Sequence, residues 1–405
     1  MSRRSWLLLA SLYTTQYLGL GFFVVALVAI LRQRGAGLDT VSLVYMLGLV
    51  WPLKALWAPA VDRFGMGWLG HYRGWLILTQ SALVLLLLAI GGLDVIDDFG
   101  LVYTLCLLVA LLSATQDIAV DGLACRLLTP AERGLGNGLQ IAGGLIGNLV
   151  GGGVILMAYP QIGWTASLIL LAAGTAISLF QLLGFREPRW ERRRRDAGAL
   201  AMRLLSFWRA PGSGRWLALL LLFPMGSGMA YAVMMPALID AGWDLDRVGL
   251  VVNVSGSLAG LAAALATGWL MARVTRRAAL IGAGLVQLAG ILAVFLPVQD
   301  GTGALVGSIG VVLFFIGYNP AATVLATLMM DHAAPASPAT DYTLQYSVNQ
   351  FAAMATMSAA AALAASLGYA GVLALAAVTA TAATWLALGY RRGRPAIHGA
   401  ADLPA

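Results

Sequence analysis

The chain's one lysine, Lys54, lies inside an apolar run, Val41-Ser-Leu-Val-Tyr-Met-Leu-Gly-Leu-Val-Trp-Pro-Leu-Lys-Ala-Leu-Trp-Ala-Pro59. A second apolar run carries Ser113-Ala-Thr-Gln-Asp-Ile-Ala-Val-Asp121. Its two aspartates, Asp117 and Asp121, are four residues apart and so share one face of a helix. An ammonium or carboxylate surrounded by hydrocarbon is costly unless it is paired or faces water, and such groups mark transport pathways or proton relays. Lys54 is therefore expected to pair with the Asp117/Asp121 face. The charge state of a buried group follows its access to water and its pairing, so the three residues form a candidate proton-coupling site. The competing reading is a static ion pair that only ties two helices together. At about 1.5 Å per helical residue, Asp117 lies about 25 Å and Lys54 about 20 Å from the same end of their helices, depths that allow a pair. Asp121, one turn further on, could instead meet Arg126 or the Asp62-Arg63 loop.

The elements that carry these residues span a membrane. The 405 residues are 60% hydrophobic and 11% charged, with a mean hydropathy of +0.84, whereas a soluble domain is about 25% charged. Apolar runs long enough to span a bilayer fall at 6–31, 41–61, 74–93, 100–128, 134–159, 163–185, 216–239, 247–272, 277–297, 302–331, 340–366 and 368–390. The expected fold is all-α and integral to the membrane, with twelve transmembrane helices in two six-helix halves. Residues 1–185 form the first half, 186–215 a basic cytoplasmic linker and 216–405 the second half. The first run is too long for a signal peptide and has no small-residue cleavage site, so it is expected to be retained.

Arginines set the expected topology. Arg3, Arg4, Arg63, Arg73, Arg126, Arg133, Arg273, Arg276, Arg277, Arg391, Arg392 and Arg394 fall on one side, with the linker. Only Arg32, Arg34 and Arg247 fall opposite, near Asp94, Asp97, Asp98, Asp240, Asp244 and Asp246. The positive-inside rule then puts both termini in the cytoplasm. The net charge of +7 reflects this bias and not a nucleic-acid surface. The linker holds Arg192 to Arg195 and Pro211-Gly-Ser-Gly214; its 200–208 stretch reads as a simple topogenic linker or as an amphipathic helix on the anionic leaflet.

Enzymatic chemistry has little to work with. No Gly-Lys P-loop exists, since the lysine follows Leu53. His71, His332 and His398 are scattered, and no His or Cys spacing suggests a metal site. Glu132, Glu187 and Glu191 all lie in loops, so an intramembrane carboxyl must be an aspartate. Cys106 and Cys125 share one helix about 28 Å apart, too far for a disulfide. No cofactor or metal is expected.

Polar and aromatic groups recur in segments expected to line a cavity. Tyr13, Gln16 and Tyr17 share a face of the first, Trp51 accompanies Lys54 and Gln116 precedes Asp117. Gln140, Tyr231, Tyr318, Asn319, Gln345, Tyr346 and Asn349 follow in later segments. These are candidate substrate contacts; each alone is more often packing. Gly143-x3-Gly147-x3-Gly151 reads as close helix packing.

Two six-helix halves joined by a basic loop resemble the major facilitator superfamily. A faint repeat supports this: Leu139-Gln140 recurs as Leu344-Gln345 and Trp164 aligns with Tyr369, both at an offset of 205. Asp62-Arg-Phe-Gly65 ending at Arg73 is similar to the superfamily's cytoplasmic motif, and its counterpart near Arg273 lacks the aspartate. The resemblance makes Asp62, Arg63, Arg73 and Arg126 a candidate cytoplasmic gate. The missing Gly-Pro pair in the fifth segment argues against a proton-driven exporter.

Leu53-Lys-Ala-Leu-Trp-Ala-Pro-Ala-Val-Asp-Arg63, Arg73-Gly-Trp, Gln80 and Ser113-Ala-Thr-Gln-Asp-Ile-Ala-Val-Asp121 look like the signature of AmpG-type permeases, which import muropeptides. At twelve helices the chain is more similar to the small siderophore-permease branch of RhtX and FptX. That resemblance implies a proton-driven importer of a ferric siderophore, pyochelin- or rhizobactin-like, in the bacterial inner membrane. A muropeptide permease is the alternative, and a non-transporting sensor or scaffold of the same fold a second one. The expected partners are a small-molecule substrate, protons and the lipid bilayer, with the protein a monomer.

Overall fold

The computed structural model describes residues 1–188, 197–298 and 303–390. Glu191, Arg192 to Arg195, Arg391, Arg392, Arg394 and His398 lie outside the described residues. Ten stretches are long and apolar enough to cross a membrane. Eight give one span each: α1 (Arg3–Gln33), α2 (Asp39–Leu56), α3 (Tyr72–Gly91), α4 (Phe99–Leu127), α7 (Ser213–Asp240), α8 (Asp246–Leu270), α9 (Arg276–Val298) and α10 (Ala304–His332). The other two, Arg133–Gly184 and Pro338–Leu388, run 52 and 51 residues. Each is broken at a glycine in the left-handed region, Gly163 at φ 73° and Gly368 at φ 66°, where only glycine sits without steric cost. The breaks separate α5 (133–162) from α6 (164–184) and α11 (338–367) from α12 (369–388). Twelve spans result among the described residues. Gly163 and Gly368 are themselves 205 residues apart, so the repeat seen in Trp164 and Tyr369 extends to the backbone.

Small residues bring the helices together. A Cβ on Gly147 would stand 2.5 Å from the Thr14 carbonyl oxygen, and one on Gly151 2.1 Å from that of Leu18. The Gly143, Gly147 and Gly151 stripe is therefore where the α5 backbone lies against α1. Wide π-helical turns, Phe22–Leu27 in α1 and Leu149–Val154 in α5, pack together next to it.

The core is one mass at one end of the bundle and two at the other. Where the arginines gather, hereafter the basic end, Leu12, Ile118, Leu123, Leu219, Met271, Leu328 and Met330 join both halves in one buried cluster. Towards the opposite, acidic end the core splits. One lobe uses only the first half, around Phe22, Leu87 and Trp164. The other uses only the second, around Met234, Phe314 and Leu373. The two halves are thus sealed at the basic end and stand apart at the acidic end.

Polar links reinforce the seal. Arg133 of α5 and Arg276 of α9 share Asp331 of α10, at 2.8 and 2.7 Å. Arg276 also donates to the Pro130 carbonyl, and Arg126 to that of Pro335. A linker helix, Ala197–Ser206, lies at this end, and its Arg203 makes a two-pronged bond to buried Asp341 in the first turn of α11.

Candidate functional site

Lys54 is held by an irregular helix. Pro52 and Pro59 each remove a backbone donor, and a helix missing such bonds tightens or kinks. The chain forms tight 3₁₀ turns at Leu47–Leu49 and Lys54–Leu56, then resumes as Ala58–Arg63. Lys54 opens the second tight turn, and its side chain is completely buried. Its ammonium donates to Asp117 Oδ2 of α4. The other oxygen of Asp117 accepts from the Gln16 side chain of α1 at 2.9 Å. The Tyr346 ring of α11 covers the ammonium, 4.3 Å from Nζ to the ring centre. Three helices of the first half and one of the second therefore meet at a single charge pair. Trp57 anchors the same stretch by donating to Thr115 of α4 at 3.1 Å.

Asp121 has different surroundings. Its Oδ1 accepts from the Tyr13 hydroxyl and the Gln140 amide, both at 3.1 Å, while Oδ2 is buried without a partner. It meets neither Arg126 nor the Asp62-Arg63 loop in a described bond. The chain of bonds continues from Gln140 to the Tyr342 hydroxyl of α11 at 2.9 Å and on to Asn137 at 3.2 Å. Asp117 and Asp121 thus share a helix face but not an environment: one is matched by a cation, the other is bonded only by neutral donors.

The remaining expected contacts fall into three groups. Tyr13, Gln16 and Gln140 touch the two aspartates, as above. Tyr17 lies beside Tyr346 and within electrostatic reach of Tyr318, and Tyr231 and Tyr318 each stack with Phe314. The third group is committed to helix packing. Trp51 sits in the first-half core, and Gln116 reaches the Leu12 carbonyl at 3.5 Å. Asn319 donates to Phe315 within its own helix and Asn349 to Leu220. Gln345 accepts from Trp216 and donates to the Met329 and Asp341 carbonyls.

The gate residues also divide. Asp62 accepts from the backbone of Thr340 at 2.7 Å and of Ala339 at 3.3 Å, and from the Tyr72 hydroxyl at 2.6 Å. It therefore caps the start of α11 from the other half, where a helix leaves its amides unpaired and positive. Arg126 crosses the same seam. Arg63 is exposed and turns to Phe64. Arg73 binds the Leu182 and Leu183 carbonyls at the end of α6, so it staples its own half. Outside the membrane spans, Glu187 accepts from the Tyr72 and Arg73 amides at the start of α3. Burial pushes its carboxyl above the ordinary value, and those amides oppose the shift.

Residues 9–357 match the Major Facilitator Superfamily. The chain belongs to that superfamily. This superfamily member is a multi-pass secondary transporter of a small molecule. It is 29% identical over 347 residues to an uncharacterized protein of Haemophilus influenzae, covering 80% of each chain. It is also 31% identical over 260 residues to the anhydromuropeptide permease of Escherichia coli, covering 62% of this chain and 52% of that one. The transporter thus spans about half the length of that permease. Among solved structures, the E. coli fucose:proton symporter superposes with a TM-score of 0.71 at 12% identity, over 95% of this chain and 97% of that one, a likeness of fold alone.

Sequence reasoning did not single out Tyr342, Asn137, Asp341 or Arg203. Asp341 carried a signal, following Ser337-Pro338 as a helix-start residue; nothing in the sequence pointed from it to Arg203.

Proposed function

We propose that this transporter imports an anhydromuropeptide, a sugar joined to a short peptide, across the bacterial inner membrane by proton-coupled alternating access. The observation that carries the reading is the buried Lys54–Asp117 pair, set at the closed floor between two halves that part at the acidic end. The basic end is the cytoplasmic one on the positive-inside rule, which places both termini there, so the open end faces the periplasm. A substrate carboxylate competes with Asp117 for Lys54. Asp121, with one empty oxygen and no cation, carries the proton. Asp62, Arg126 and the Asp331 triad are the cytoplasmic gate that must release for the cargo to leave. The protein works as a monomer.

Similarity to the E. coli permease supports the choice of substrate class. The ferric-siderophore reading draws no support from the relatives found. Uptake into energised membrane vesicles separates the two. Labelled anhydromuropeptide should accumulate and a protonophore should abolish the accumulation. Uptake of labelled ferric chelate in place of anhydromuropeptide would replace the substrate, and uphill uptake surviving the protonophore would remove proton coupling.

A further inference from the structure

Tyr231 of α7 and Tyr318 of α10 keep 37% and 40% of their surface accessible, although protein atoms crowd them on nearly every side. Accessible surface amid crowding is the mark of a concave wall. Both tyrosines stack with buried Phe314, whose ring is 6.3 Å from Tyr231 at 27° and 6.0 Å from Tyr318 at 4°. The three rings form one aromatic cluster in which Phe314 is buried and both tyrosine rings are open. Neither phenol hydroxyl has a described hydrogen bond within the protein. The cluster lies towards the first half, since Tyr17 of α1 is within electrostatic reach of Tyr318. Tyr17 also lies beside Tyr346, whose ring covers Lys54.

We infer that the Tyr231–Phe314–Tyr318 wall is the subsite for the substrate's pyranose ring, set across the cavity from a carboxylate subsite at Lys54. This rests on the sugar-peptide reading above and assigns an orientation to it. The face of an aromatic ring is electron-rich, and the C–H face of a pyranose presents hydrogens of slight positive charge to it. Sugar hydroxyls at the rim match the two free phenols, which donate and accept. Fixed aromatic rings supply contact area with little loss of side-chain freedom. The sugar thus rests on the second half and the charged peptide end reaches the first. A ligand spanning both halves is held only when they close around it.

The test uses purified full-length protein and reads binding by ligand-induced thermal stabilisation, alongside uptake in vesicles. The probes are an anhydromuropeptide, its peptide-free sugar part and its free peptide. Tyr231→Ala and Tyr318→Ala should each weaken binding of the sugar part about tenfold, as expected for losing one ring contact. Binding of the free peptide should stay unchanged in the same variants, which also shows that they fold. Tyr231→Phe and Tyr318→Phe keep the ring face and should stay within about threefold of the parent. Equal sugar binding by the alanine variants and the parent would overturn the assignment, as would parallel losses for sugar and peptide. Preferential binding of an aromatic chelate to this wall would overturn it too. Failure of the parent to take up anhydromuropeptide would instead refute the proposed function, since sugar binding to the wall is read separately.

Discussion

Neutralising one member of the Lys54–Asp117 pair should cost more than neutralising both. Lys54 is 0% and Asp117 1% exposed, so neither can reach water when its partner is removed. Breaking a buried ion pair by deleting one side costs about 3–5 kcal/mol, while replacing both charges with neutral groups of similar shape is often close to neutral. In Asp117→Asn, the ammonium keeps the Tyr346 ring, a cation–π contact of at most about 2 kcal/mol in a dry site, and meets a neutral amide oxygen in place of a carboxylate. In Lys54→Met, Asp117 keeps only the Gln16 amide. The double variant Lys54→Met/Asp117→Asn leaves no charge at the site, and the Gln16 amide can still bond to the asparagine. A coupling of about 2–4 kcal/mol is therefore expected between the two substitutions. The assay is thermal unfolding of the purified variants in one detergent, with fluorescence-detected size exclusion to confirm insertion. Both single variants should melt earlier than the double one, and all three should lose substrate accumulation. If the double variant melts as early as the summed single shifts require, the pair carries no coupling energy. Near-normal accumulation by Asp117→Asn would show that the pair is not part of the transport cycle.

Two further outcomes concern the seal at the basic end. Asp62→Asn removes the charge from a group that caps α11 across the seam, where a charge-assisted hydrogen bond contributes about 1.5–3 kcal/mol; spin labels at Ala131 and Ala272, which flank a hollow between the halves there, should report a larger population at long distance, and an unchanged distribution would contradict the latch. Gly138→Leu places a Cβ 2.9 Å from the Ala264 carbonyl oxygen, so the same label pair should separate while the protein still inserts, and retention of full accumulation would show that α5 and α8 need not touch.

The sequence made the charge pair legible because the choice was so narrow. With one lysine and two aspartates deep in apolar runs, burial cost favours pairing the lysine with one of them. The spans were legible from their lengths, and the two glycine breaks coincide with gaps read at 159–163 and 366–368. The network around the aspartates was less legible, because Tyr13 and Gln140, which bond Asp121, and Tyr342, which bonds Gln140, come from three different helices that only the fold brings together. Residue type also fails to separate a cavity wall from a packed seam. Gln345 and Asn349 look as suited to a ligand as Gln16, yet their amides bond to carbonyls of neighbouring helices. Asp62 and Arg63 are adjacent, but the turn after Arg63 sends one side chain to α11 and the other outward.

The contact between α5 and α8 has a mechanical consequence. A Cβ on Gly134 would stand 2.7 Å from the Gly268 carbonyl oxygen, and one on Gly268 2.6 Å from that of Gly134. Backbone faces backbone along this line, with Gly138 against Ala264 beside it. Such residues have no rotamers to lose or reset, so the surface behaves as a plain bearing without teeth. Rocking one half over the other meets little friction there. In the proposed alternating-access cycle, switching then waits on the polar fasteners at its rim, Asp62 on α11 and the two arginines on Asp331. These break and reform as discrete units, so turnover is tuned by editing a few charged side chains while the sliding surface stays as it is.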